Sequence, residues 1–168
     1  MPDCHRGTTA AGQEDFLKWC QGYSWESHIK LDFDKMMTFL ADKGAASVGA
    51  IGFCWGVWAY SKASAEGVAL KCGVGCHPST KLEGWAFPGS ELALVQAVRM
   101  PCLSMPAGND GDNLKPGGDC HAAIDKAGGS TVVFPEMSHG ACAPSPPSSL
   151  ATLTPAFKTS LPPAWRLF

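Results

Sequence analysis

The sequence predicts an α/β fold, three-layered and built on a mainly parallel sheet of about four strands. Three observations carry this. From Ile29 onward the apolar pattern alternates between the helical period and short runs of strand character, α-β-α-β-α-β-α-β. Such alternation argues for parallel strands with helices on both faces. The run Ser47–Phe53 passes into a second apolar segment through Gly52, Cys54 and Gly56, a spacing suited to a sharp strand-to-helix turn. The 168 residues suffice for one domain with one core, and nothing repeats internally.

The elements follow in order. Gln13–Gln21 reads as a short helix through Phe16, Leu17 and Cys20, and Gly22–Glu26 breaks it. Ile29–Lys43 is the stronger helix, with Phe33, Met36, Met37 and Leu40 as an apolar stripe and Gly44 as its stop. Ser47–Phe53 is the first strand and Gly56–Ala65 the helix after it. Trp58 and Tyr60 on that helix either cover the sheet or line a substrate pocket. Val68–His77 is the second strand, ended by Pro78; Glu91–Ala97 is a short helix; Pro101–Ala107 is the third strand. It leads into the turn-rich loop Gly108–Asp112. Asp119–Ala127 is a helix closed by Gly128 and Gly129, and the β-branched, aromatic Ser130–Phe134 is the fourth strand.

Composition narrows the function. A net charge of −2 without a basic run gives no footprint for nucleic acid. No apolar stretch approaches a membrane span, and residues 1–12 lack the hydrophobic segment of a secretory signal. Of the eight cysteines, Cys54, Cys72, Cys76 and Cys102 fall in apolar, strand-like runs, which reads as a reduced, cytoplasmic protein. Cys72 and Cys76 would lie ~13 Å apart along one strand face, too far for one ion, so no metal and no cofactor is expected. Three segments are expected: a disordered stretch over 1–12, an α/β domain over 13–140, and a tail over 141–168 whose six prolines in 28 residues leave little room for a helix.

The chemistry centres on Gly52-Phe53-Cys54-Trp55-Gly56, the cysteine form of the G-x-S-x-G nucleophile elbow. Glycines at minus two and plus two remove side chains that would collide with the adjacent strand and helix. A buried structural cysteine at a β-to-α turn is the bland alternative. A thiol nucleophile needs a base, and the base needs an orienting carboxylate. His139, after the fourth strand and before Gly140, is the best base. Asp110, after the third strand, is the best orienter, with Asp112 a second candidate. His77 suits a strand end or a pocket lining better than a base. Cys54, Asp110 and His139 each follow the carboxyl end of a different strand, where ligands bind in open α/β sheets. Their chain order, nucleophile, acid, histidine, is that of α/β-hydrolases.

Four segments resemble the dienelactone hydrolase family: G-A-I-G-F-C-W-G (Gly49–Gly56), G-C-H-P-S (Gly75–Ser79), P-C-L-S-M-P-A-G-N-D (Pro101–Asp110) and S-H-G (Ser138–Gly140). The helix through His28–Lys35 also resembles the one before the family's elbow. The match runs from about Phe16 to Gly140. It implies an α/β-hydrolase fold, a Cys54–His139–Asp110 triad, the backbone N–H of Trp55 as an oxyanion donor, and hydrolysis of a small ester or lactone through a thioester. The family's opening strands, with an acid near the thiol and an arginine for a substrate carboxylate, have no counterpart before His28. Ala141-Cys142-Ala143-Pro144 stands where a further arginine and closing helix are usual. The sequence thus reads as N-terminally truncated, with a bare sheet edge open to self-association. A weakly active remnant that binds ligands or partners is the second reading.

Overall fold

The computed structural model describes residues 4–8 and 15–140. The tail expected over 141–168 lies outside the described residues. Four strands form one sheet: β1 (Ala50–Phe53), β2 (Gly73–Cys76), β3 (Cys102–Met105) and β4 (Ser130–Thr131). Their spatial order is β1-β2-β3-β4 and every pairing is parallel. Parallel neighbours need crossovers. Helix α3 (Trp55–Ala65) joins β1 to β2, α4 (Leu82–Trp85) and α5 (Glu91–Ala97) join β2 to β3, and α6 (Asp119–Lys126) joins β3 to β4. Ahead of β1 lie α1 (Phe16–Gln21), a π-helical turn over Trp25–Ile29, and α2 (Lys30–Asp42).

The sequential strand order decides where these helices go. Right-handed crossovers that always step in one direction leave their helices on one face. Val57 and Tyr60 of α3, Val95 of α5 and Ile124 of α6 accordingly line one apolar cavity over the β3 residues Cys102 and Ser104. The sequence alternation predicts helices on both faces because alternation does not encode strand order. On the other face, β1 presents Ile51 and Phe53, 73% and 49% exposed.

The elements are shorter than their sequence signals for local reasons. Val68–Leu70, expected in β2, makes turn bonds: Val68 donates to Ala63 O and Leu70 to Val68 O. Beyond β4 the chain still runs along β3, with Val132 N donating to Ser104 O and Phe134 N to Pro106 O. Helix α4 has four residues, one turn, too few for a period to show. The expected break at Gly22–Glu26 instead leads into the π-turn, whose Trp25 and Ile29 are buried in the core. Residues 4–8, inside the stretch expected to be disordered, are placed by long-range contacts. Cys4 joins the core, the His5 ring lies 4.3 Å from that of Trp55, and Arg6 makes two 2.9 Å bonds to Asp32.

A close backbone-to-backbone fit lies under the start of α3. A Cβ on Gly52 would sit 2.7–2.8 Å from the backbone of Gly56 and Val57, whereas a Cβ on Gly56 would meet nothing within 4 Å. The two elbow glycines are thus unequal. The minus-two glycine lets the helix touch the strand, and the plus-two position is open. Gly52→Ala should lower unfolding free energy by about 3 kcal/mol, as backbone overpacking does. Gly56→Ala should leave it unchanged or raise it by up to about 1 kcal/mol through helix propensity. Urea denaturation of both variants checks the ranking; equal losses would contradict it.

Candidate active site

Cys54 sits between β1 and α3 with φ 51° and ψ −117°, outside the regions an L-residue ordinarily adopts. Such a conformation costs roughly 1–3 kcal/mol and persists where the surroundings impose it. Here they do. Cys54 N donates to Cys76 O in the sheet, and Cys54 O accepts from Val57 N at 3.1 Å and Ser79 N at 3.2 Å. The side chain is lifted off the sheet and half-buried. Trp55 opens the 11-residue α3, so its N–H is one of those without an intrahelical acceptor, at the positive end of the helix dipole.

Asp110 stands in the loop after β3 and is buried. Its Oδ2 accepts from Ala107 N at 2.7 Å, which fixes the carboxylate and leaves Oδ1 to meet His139. His139 lies in the loop beyond β4. Gly108 N donates to Met137 O at 2.9 Å, and His139 N donates to Asn109 Oδ1 at 2.6 Å. These bonds tie the two loops together. A side chain at Gly108 would collide with Pro135 O, so the close approach needs glycine there. Gly140 has φ 89° and open space around it. It is needed for its backbone angle.

The result is a continuous chain of contacts. Asp110 Oδ1 lies 2.5 Å from His139 Nδ1, and His139 Nε2 lies 3.2 Å from Cys54 Sγ. A carboxylate on Nδ1 holds the proton there and turns the Nε2 lone pair toward the sulfur. Asp112, the other acid considered, is an exposed side chain paired with Lys115 at 3.0 Å and does not enter this chain.

Two further groups face the thiol from the loop after β2. Ser79 Oγ lies 3.3 Å from Cys54 Sγ and 3.2 Å from His139 Nε2. Sequence reasoning passed over Ser79. Its signal was its place in G-C-H-P-S, just past a strand end. His77 is 5% exposed with φ 37°, its ring centroid 4.8 Å from that of His139, and neither ring nitrogen has a hydrogen-bond partner among the described residues. Burial pushes its pKa down, and the neighbouring His139 pushes the same way; Asp110 opposes them. Cys54, His77 and His139 offer ligand atoms all within 4.8 Å of one another.

Trp58, one of the residues expected to line a pocket, is fully buried in the core. Its Nε1 donates to Glu83 at 2.8 Å and its ring stacks on Phe87 at 4.6 Å. Helical periodicity could not separate these roles, because Trp58 lies one turn beyond the elbow on the face turned into the protein. The apolar cavity over β3 does not include Cys54, Asp110 or His139.

The model of the dienelactone hydrolase family matches residues 3–158. No curated protein and no solved structure matches the chain. Among the described residues, no helix is long and apolar enough to cross a membrane.

The thiols differ in environment. Burial pushes Cys20 up to about 11 and Cys102 and Cys120 up to about 12; neighbouring Cys54, Cys72, and the pair Glu91 and Asp119 push the same way respectively, while a hydrogen bond with Tyr60 opposes the shift at Cys102. At pH 8 their thiolate fractions are on the order of 10⁻³ and 10⁻⁴. Under limiting iodoacetamide at that pH, Cys54 should be the first of these four to be alkylated, read by peptide mass spectrometry. Earlier labelling of Cys102 or Cys120 would contradict this ordering.

Proposed function

The chain belongs to the dienelactone hydrolase family, and from that premise we propose that it hydrolyses small esters or lactones with Cys54 as nucleophile, His139 as base and Asp110 as orienting acid. The single observation behind this reading is the unbroken contact chain from Asp110 through His139 to Cys54. Two short separations in series, from three strand ends far apart in sequence, are the arrangement a nucleophile–base–acid mechanism needs.

The steps follow from the groups present. His139 Nε2 takes the thiol proton, and Asp110 stabilises the imidazolium that results. The thiolate attacks the ester carbonyl carbon and forms a C–S bond, while the carbonyl π electrons move onto oxygen. That oxyanion meets the N–H of Trp55 at the head of α3; such a donor is worth about 3 kcal/mol in the transition state. The intermediate collapses, the C–O bond breaks, and His139 returns its proton to the leaving alkoxide. A lactone opens at this point, its alcohol staying tethered to the acyl group. Water, deprotonated by His139, then attacks the thioester, releases the acid and restores the thiol. The substrate class, a dienelactone-like carboxylic ester or lactone, is carried over from the family.

A chromogenic short-chain ester tests the proposal. The native chain should release a burst of alcohol stoichiometric with protein, and Cys54→Ala and His139→Ala should each abolish it. An unchanged burst in either variant would sink the triad. No burst and no steady turnover in the native chain would favour a binding protein that keeps the family's fold. Within an active chain, Asp110→Asn should slow turnover on the order of 10⁴-fold by removing the carboxylate from Nδ1. Asp112→Asn should leave turnover nearly unchanged, and the reverse ranking would show that the wrong acid had been assigned.

A further inference from the structure

We infer that Cys54, His77 and His139 form a binding site for a soft divalent cation such as Zn²⁺, and that its occupation silences the thiol. The inhibitory consequence rests on the hydrolase reading, whereas the binding does not. One sulfur and two imidazole nitrogens are a ligand set that zinc favours. They are gathered within 4.8 Å of one another, and the sulfur–His139 edge of the triangle is 3.2 Å. Tetrahedral zinc holds such atoms about 3.3–3.6 Å apart, so small side-chain adjustments would close the set.

His77 is the independent observation. Buried polar atoms are nearly always hydrogen-bonded. Yet both ring nitrogens of this histidine lack a partner among the described residues, although it is 95% buried and lies directly against His139. The proposed hydrolysis assigns it no step. Asp110 on His139 Nδ1 reproduces the carboxylate–histidine arrangement that orients metal-bound imidazoles.

Binding displaces the Cys54 thiol proton to solvent and forms a sulfur–metal bond. The lone pairs of the proposed nucleophile and its base are then both engaged, and neither can serve hydrolysis. Three protein ligands leave a fourth position for water.

The test is calorimetric titration of the full chain, reduced and metal-free, with Zn²⁺. One equivalent should bind, and His77→Ala should weaken it by at least about 10–100-fold, the loss that even an outer-shell partner causes. Equal binding by the native chain and His77→Ala would overturn the site, since other cysteines would then account for the metal. A second measurement needs no variant: saturating Zn²⁺ should shield Cys54 from iodoacetamide, and an unchanged alkylation rate would also overturn it. Ester turnover separates this inference from the hydrolase reading. Tight, His77-dependent binding by a chain that never hydrolyses ester would leave the site standing and remove the hydrolase. Hydrolysis undiminished by saturating Zn²⁺ would remove the silencing and leave the hydrolase.

Discussion

The contact between Gly52 and the first turn of α3 governs the rest of the molecule. The strand and helix backbones approach closely enough that even a methyl group could not fit between them. That closeness forces Cys54 into a positive φ and turns its side chain off the sheet. The cost of the conformation is spread over bonds from three elements: the β1–β2 ladder, the first turn of α3, and Ser79 from the loop after β2. The same turn places Trp55 N–H at the head of the helix, beside the sulfur. Position and electrostatics at the thiol thus have one origin.

Two other strand ends meet this point through backbone chemistry. Asp110 is turned inward by its own loop, through Ala107 N. His139 is delivered by a segment whose pairing with β3 is irregular beyond β4 but continues as far as Phe134. The bonds from Gly108 to Met137 and from His139 to Asn109 then lock the loops at a fixed separation. A buried carboxylate in contact with an imidazole favours the charged imidazolium that a departing thiol proton would create. The proposed base is held by the same groups that would stabilise its protonated form.

The loop after β2 adds what a bare nucleophile–base–acid set lacks. Ser79 contacts both the sulfur and the histidine, and the His77 ring sits beside them with neither nitrogen hydrogen-bonded among the described residues. One sulfur flanked by two imidazole rings is also a good ligand set for a soft cation. The features that suit one chemistry make the other hard to avoid.

The sequence by itself determined the α/β class, the helix after the elbow, the three strand-end residues and the family. These are written in local period, in turn residues and in short motifs. Cys54, Asp110 and His139 were legible because chain order and strand-end position survive in one dimension. Other features were decided only by the tertiary structure. Strand order put the connecting helices on one face, which alternation cannot encode. The inequality of Gly52 and Gly56 depends on which side of the elbow the helix leans. Trp58 went to the core because Glu83 and Phe87, far along the chain, close over it. Ser79 and His77 joined the site because a positive φ before Pro78 redirects the end of β2. Each of these turns on contacts between residues distant in sequence, and such contacts leave no mark on local pattern.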